Sequence, residues 1–325
     1  MKKTNTILVL LLSMLLAEVH AQGYEIEIVA PDFPNQPVIL GEYFTTRMIP
    51  KDTVVLDAKG TGTFRNDSAF KGGMYIMYFT PDHYFDFLMD RDQQFTVTTD
   101  SADFIGKTRF RGSENNQVFF AYKKFLADRR EQLQVLNREL ASAVSRKDSL
   151  AIEQEIKGLN EEMSAYAKKV IAQHSDLFIS TFLQSMTDVE IPDGLLEGFP
   201  EEKRDSVRFF YYKDHYFDHF DFTDPRLLHT PVYDSKIKAY LGRVVVQHPD
   251  SLISAVDYLV EGARSDPEVF RYMLITLLNQ FADSKRMGMD KVYFHIAKEY
   301  YIPEATWSSQ DFIQNLRKNL EDSRH

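Results

Sequence analysis

Two different hydrophobic periods divide the chain. From residue 22 to about residue 111, apolar and polar residues alternate, as in Tyr24–Ile28, where two Glu side chains face away from the apolar ones. Further runs of this kind are Val38–Phe44, Thr53–Asp57, Thr61–Arg65, Met74–Phe79, Tyr84–Met89 and Gln94–Thr99. Short strands at a spacing of roughly ten residues predict an antiparallel β-sandwich, with Ala58-Lys59-Gly60 as a hairpin turn. Because no helical crossover separates these runs, we do not expect a parallel sheet.

After Gly112 the apolar residues recur at steps of three and four, which predicts helices. Ser113 or Asn115 is suited to cap a first long helix, and a polar break at 145–148 separates it from a second, which runs through Val170. Both are rich in charge, and we expect them to form an antiparallel hairpin with a solvated outer face. A loop rich in Pro and Gly follows near 190–201. Further helices are predicted near 203–218, 235–248, 250–262, 267–283, 289–300 and 309–322.

The pattern therefore predicts an α+β protein, an N-terminal antiparallel β-sandwich followed by an all-α helical domain with a long helical hairpin. The predicted units are residues 22–111 for the sandwich, 112–189 for the hairpin and a first helix-turn-helix unit, and 190–325 for the helical domain. The single tryptophan, Trp307, precedes the last helix and is expected to anchor it by packing.

The N-terminus reads as a secretory signal peptide over residues 1–21. Lys2 and Lys3 precede an apolar run, Ile7–Leu16, and small or short residues lead up to cleavage after Ala21. The run is too short to span a bilayer, and no later segment approaches 18 consecutive apolar residues. We therefore expect a periplasmic or secreted protein that does not span the membrane.

Composition removes several classes of function. The chain has no cysteine, which excludes disulfides, thiol nucleophiles, CxxC redox motifs and a lipid anchor attached to a cysteine. Its formal net charge of −10 argues against a nucleic-acid partner, because phosphates require a basic surface. With 25 Phe and 17 Tyr, the fold is expected to depend on an aromatic core.

Residues 170–180 (VIAQHSDLFIS) and 244–254 (VVVQHPDSLIS) echo each other. In both copies a helix is expected to end on a histidine, His174 or His248, which meets the negative end of the helix dipole. An aspartate two residues later is expected to begin the next helix. The echo suggests two similar helix-turn-helix units, although two copies are too few to define a solenoid.

The densest polar cluster lies in residues 213–224. His215 and His219 are four residues apart and would share one face of a helix, as zinc ligands often do. Asp214, Asp218 or Asp221 would be a further oxygen donor. The favoured interpretation is a structural helix with a polar outer face, since Tyr216 stands where a metalloprotease has glutamate. His295 and Glu299 form a second pair at this spacing, for which a surface hydrogen bond is expected. No catalytic residue and no cofactor is predicted.

Three stretches resemble the N-terminal portion of secreted TlpA/ResA-like thiol-disulfide oxidoreductases. They are GSENNQVFFAYKKFL (112–126), VIAQHSDLFIS (170–180) and HYFDHFDFTDPRLLHTPVYDSKIKAYL (215–241). The resemblance implies a β domain and a helical region, both of unknown function, ahead of a thioredoxin domain. The chain ends at His325, about where that domain would begin, so the CxxC of the family has no counterpart and no catalytic residue is carried over.

Three functional hypotheses follow. The first is a non-catalytic periplasmic module that binds or positions a client or a separately encoded thioredoxin-like protein. The second is a metal-dependent hydrolase that uses His215 and His219. The third is an envelope-associated protein that self-associates through its helical hairpin.

Overall fold

The computed structural model describes residues 23–322, so the predicted signal peptide, residues 1–21, lies outside the described residues. An N-terminal β region precedes a helical region, which confirms the α+β class. The strands are β1 (Tyr24–Val29), β2 (Pro37–Phe44), β3 (Arg47–Val55), β4 (Thr61–Asn66), β5 (Gly73–Thr80), β6 (His83–Met89), β7 (Gln94–Thr98) and β8 (Arg109–Arg111). A short helix, α1 (Phe104–Lys107), precedes β8, and neither element was predicted.

The strands form two four-stranded sheets in the orders β4-β1-β7-β8 and β3-β2-β5-β6. Ile26, Phe64 and Phe87 are almost completely buried in the sandwich. Most pairs are antiparallel, but β1 and β7 are parallel, with Ile26 opposite Phe95. Neither sheet is a parallel sheet, as expected, and the chain passes from β1 to β7 through the second sheet rather than through a helix.

The turn at Ala58-Lys59-Gly60 exists, but it joins the two sheets and is not a hairpin, since β3 and β4 belong to different sheets. Oδ1 of Asp57 accepts hydrogen bonds from the backbone nitrogens of Lys59 and Thr61 at 2.8 and 2.9 Å. Gly60 has a φ of +76°, and a Cβ there would lie 2.2 Å from the carbonyl oxygen of Ala30. The tight passage between the sheets therefore requires glycine.

The helical region begins with the predicted hairpin and continues through shorter helices. These are α2 (Glu114–Ser142), α3 (Arg146–Gln173), α4 (Phe178–Ser185), α5 (Glu201–Asp214), α6 (Pro225–Leu228), α7 (Pro231–Ala239), α8 (Pro249–Ala263), α9 (Pro267–Ala282), α10 (Asp290–His295), α11 (Ile302–Glu304) and α12 (Gln310–Asp322). A 3₁₀ turn covers Asp193–Leu196, and π-helical turns continue α7 over Tyr240–Val244 and α10 over Ile296–Tyr301.

Among residues 23–322, the hairpin of α2 and α3 is packed against the body at its base. The buried residues of α2 are confined to its first two turns, and Val170 is the buried residue of α3. The amide of Asn116 pairs with both backbone groups of Leu88 at 2.7 Å, which fixes α2 to strand β6. Oδ1 of Asn115 accepts a hydrogen bond from the backbone nitrogen of Ile179, at 3.0 Å, which fixes α2 to α4. The two asparagines of the GSENN stretch therefore join three parts of the fold.

Candidate functional site

The β-sandwich and the helical region meet at the segment around His229. The backbone nitrogen of Thr45 donates to the carbonyl of Leu228 at 2.8 Å, and that of Met74 donates to the carbonyl of His229 at 2.9 Å. Gly73 permits this approach, because a Cβ there would lie 2.4 Å from the Cβ of His229. The backbone of the sandwich is therefore hydrogen-bonded directly to the turn after α6.

A buried group of charges fills this junction. The carboxylate of Glu42 lies 2.5 Å from Nζ of Lys51 and 2.9 Å from Nδ1 of His229, and it accepts a hydrogen bond from Tyr75 at 3.2 Å. Within residues 23–322, neither ring nitrogen of His229 meets the full geometry of a hydrogen bond, although Nδ1 lies close to the carboxylate of Glu42. Burial alone raises the pKa of Glu42, but His229 and Lys51 outweigh it and lower the pKa to about 2.

The periphery of the junction is also paired. Glu268 of α9 lies 3.6 Å from Nε2 of His229 and 2.6 Å from Nζ of Lys71. Arg226 bridges Asp90 and Asp224 at 3.0 and 2.6 Å. Because Glu42, Tyr75 and His229 are each less than 5% exposed, this cluster offers no surface to a ligand, and its role is to hold the two regions together.

Helix α5 carries four consecutive aromatic side chains, one exposed and three half-buried. It contains the sequence Phe209-Phe210-Tyr211-Tyr212, yet none of its residues is buried, and the side chain of Phe210 is 54% exposed. We call these four residues the α5 surface. Phe210 is exposed and the other three rings are half-buried, which makes this run of aromatic residues a candidate contact surface.

A cleft opens on each side of the α5 surface. One, of about 520 Å³, is lined by Phe210 and Tyr211 together with Leu195 and Val207. The other, of about 490 Å³, lies between α5 and α7. We call it the Lys236 cleft; it is lined by Ser185, Met186, Thr187, Asp188, Tyr212, Tyr216, Pro231, Val232, Ser235 and Lys236.

The Lys236 cleft places one cation against aromatic rings. Nζ of Lys236 lies 4.6 Å from the ring centroid of Tyr216, a cation–π distance. Burial lowers the pKa of Lys236, against a smaller opposing effect of Asp188. The hydroxyl of Tyr212 donates to Oδ1 of Asp188 at 3.0 Å, and burial raises the pKa of Tyr216 to about 12. The cleft therefore has an apolar wall, a cation and a hydrogen-bonded carboxylate.

The candidate metal ligands are not arranged as predicted. Helix α5 ends at Asp214, His215 is its C-terminal cap, and turns follow, so His215 and His219 do not share a helix face. Nδ1 of His215 lies 2.6 Å from Oδ2 of Asp218, whereas His219 is exposed. Within residues 23–322, no group of three His, Cys, Asp or Glu is placed to hold a metal ion. Tyr216 and Phe217 are buried in the turns that follow the end of the helix.

The histidines of the two similar stretches, His174 and His248, occupy different positions relative to the helix ends. His174 caps the C-terminus of α3, as predicted, and lies 3.8 Å from Glu114. His248 instead precedes α8 and accepts, through Nδ1, a hydrogen bond from the backbone nitrogen of Asp250 at 3.3 Å. The dipole argument for His248 was wrong, because Pro249 begins a helix there and the preceding turn has already ended.

The last histidine pair is also rearranged. His295 contacts Asp257 of α8 at 2.6 Å, while Glu299 pairs with Lys298, so the predicted hydrogen bond between His295 and Glu299 is absent from the contacts of the described residues. Trp307 packs edge-on against Phe270 and Tyr301, at ring-centroid distances of 6.4 and 6.3 Å. It anchors the chain ahead of α12, as predicted.

Sequence reasoning missed the α5 surface and Lys236. The sequence signal for the α5 surface is a run of four aromatic residues in a highly charged helix. Such a helix has too few apolar positions to form a buried apolar stripe, so its rings are not all accommodated in the core. No local pattern distinguishes Lys236 from its neighbours, because its environment is set by Tyr216 and by the loop around Asp188.

A family model described as a domain of unknown function (DUF5106) matches residues 149–323, more than half of the chain. The matched stretch begins within α3 and contains the α5 surface and the Lys236 cleft. No curated protein and no solved structure matches the chain. In the described part, residues 23–322, no helix is both long enough and apolar enough to cross a membrane.

Proposed function

Because the chain belongs to the DUF5106 family, whose function is unknown, we propose a function from its geometry: a non-catalytic module that binds another protein through the α5 surface. The observation that carries the proposal is a helix with four consecutive aromatic residues and no buried side chain. Aromatic residues are enriched at protein interfaces because they bury a large area at a small cost in side-chain entropy.

We place this module in the periplasm or outside the cell, with a separately encoded thioredoxin-like protein, or a client of such a protein, as its partner. The charge, apolar run and small residues of positions 1–21 support secretion. The resemblance of residues 112–126, 170–180 and 215–241 to TlpA/ResA-like proteins supports the redox context. Since the chain contains no cysteine, any thiol chemistry would be supplied by the partner.

The test is site-specific photo-crosslinking in the organism that produces the protein. A benzophenone amino acid replaces Phe210 in one variant. In the control variant it replaces Val144, whose side chain is fully exposed in the turn between α2 and α3. We expect a discrete adduct from position 210 only, containing a second protein that binds the purified chain reversibly.

Two results would contradict the proposal. One is the same set of adducts from both positions, which would indicate non-specific contact. The other is an adduct whose mass is that of two copies of this chain, which would favour self-association instead.

A further inference from the structure

The Lys236 cleft has the composition of a binding site for a carboxylate with an apolar neighbour. Three other lysines are paired with carboxylates: Lys51 with Glu42, Lys71 with Glu268 and Lys238 with Asp234, all within 2.8 Å. Lys236 is half-buried and lies over the ring of Tyr216, but no carboxylate of residues 23–322 forms an ion pair with it. A half-buried ammonium without an ion-pair partner is costly, and a carboxylate from a ligand would offset that cost.

The surroundings of Lys236 restrict the ligand. Met186, Val232 and the rings of Tyr212 and Tyr216 provide apolar contact next to the ammonium. Asp188 lies in the same cleft, so a dianion such as a phosphate monoester would be repelled more strongly than a single carboxylate.

The shape of the cleft favours a peptide over a free metabolite. The cleft is open to the solvent along one side, whereas small-molecule sites enclose most of the ligand. It also lies beside the α5 surface, with a second apolar cleft on the other side of that helix. An extended segment is able to contact both, and a small acid is not.

We infer that the Lys236 cleft binds a segment of the partner protein in which a Glu or Asp is flanked by aromatic residues, with the carboxylate on Nζ of Lys236. This inference rests on the proposed function, whose partner it describes chemically. Asp188 opposes the ligand charge and therefore limits the affinity.

The test is isothermal titration calorimetry of the mature chain with two blocked peptides, acetyl-Gly-Phe-Glu-Phe-Gly-amide and its Gln counterpart. We expect the Glu peptide to bind about tenfold more tightly than the Gln peptide. This ratio of affinities is the effect of one partly exposed charge-assisted hydrogen bond. Lys236→Met should reduce the affinity for the Glu peptide to that of the Gln peptide. Lys147→Met, which removes an exposed lysine at the start of α3, should leave both affinities unchanged.

A variant with the opposite effect guards against misfolding as an explanation. Asp188→Asn removes the competing charge and keeps an oxygen that accepts the hydrogen bond of Tyr212. It should strengthen binding of the Glu peptide about threefold and leave the Gln peptide unaffected, as expected for a repulsion across solvent-exposed space.

Several results would overturn the inference: no binding of either peptide, equal affinities for both, or no gain from Asp188→Asn. Phenylacetate binding as tightly as the Glu peptide would also overturn it, in favour of a free acid. These failures are distinct from failure of the proposed function. A partner crosslinked at position 210 with no affinity for the Glu peptide leaves the module's function standing and removes only the assigned ligand.

Discussion

At the scale of single residues, Glu42 links stability to pH. In the folded protein the pKa of Glu42 is lowered to about 2, because the effects of His229 and Lys51 outweigh that of burial. In the unfolded chain its pKa has the ordinary value of about 4.5. A lowered pKa means that the folded state is stabilised above pH 4.5 and loses this stabilisation as the pH falls towards 2. The contribution lost is about 2–3 kcal/mol.

Glu42→Gln should therefore be less stable than the wild type at pH 7, and the difference should shrink between pH 4.5 and pH 2. Urea unfolding across this range measures it. Glu131→Gln, which removes an exposed carboxylate of α2, is the control and should follow the wild type. A constant difference between Glu42→Gln and the wild type at every pH would show that the charge of Glu42 is not what stabilises the junction.

Gly73 makes a second prediction at this scale. Its φ is +154°, and a Cβ would meet both the Cβ and the carbonyl oxygen of His229, at 2.4 and 2.9 Å. Gly73→Ala should lower the free energy of unfolding by about 2–4 kcal/mol, because the sandwich and the helical region must separate slightly. A Cβ added at Gly158 in α3 has no described atom within 4 Å. Gly158→Ala should therefore raise the free energy of unfolding by about 0.5–1 kcal/mol. Similar effects for both variants in urea unfolding would disprove the close approach at Gly73.

At the scale of secondary-structure elements, the hairpin is a projecting arm. Helices of 29 and 28 residues extend about 40 Å at 1.5 Å per residue. Arg129 pairs with Glu162 at 2.7 Å, and Phe125 stacks on Tyr166 at 4.0 Å. Between these contacts and the tip of the hairpin, neither helix has a buried residue among those described.

Replacing residues 134–157 by a short Gly-Ser linker should therefore change the Tm by no more than about 2 °C, the effect of ~1 kcal/mol in a protein of roughly 300 residues. The reason is that the buried residues of both helices lie at the base, where Asn116 and Val170 are retained. Differential scanning calorimetry measures this. A loss of the cooperative transition would contradict it and would show that the tip supports the fold.

The elements were predicted from sequence to unequal degrees. The hairpin was predicted because its apolar spacing persists over many turns. The first half of β3 was missed, since Pro50 and exposed residues hide the alternation; β3 is an edge strand, where proline is tolerated. The π-helical turns after α7 and α10 were missed, because one extra residue per turn leaves no signal in a period of 3.6.

At the scale of the whole molecule, the junction depends on contacts that no local pattern contains. Lys71 and Glu268 are 197 residues apart in sequence, and Glu42 and His229 likewise come from the two different regions of the fold. The fold class follows from periodicity, whereas this junction and the Lys236 cleft follow from tertiary packing. The DUF5106 match begins at residue 149, so the sandwich that supplies Glu42 and Gly73 lies outside the matched stretch.

The central claim is that the α5 surface binds a partner protein. The most direct measurement is the affinity of the partner, once crosslinked at position 210 and purified, for three forms of the chain: wild type, Phe210→Ser and Val144→Ser. Both positions carry exposed apolar side chains, so the two substitutions are matched. We predict that Phe210→Ser weakens binding about tenfold or more, the size of an aromatic contact at an interface centre, and that Val144→Ser has no effect. Equal affinities for all three forms would contradict the claim.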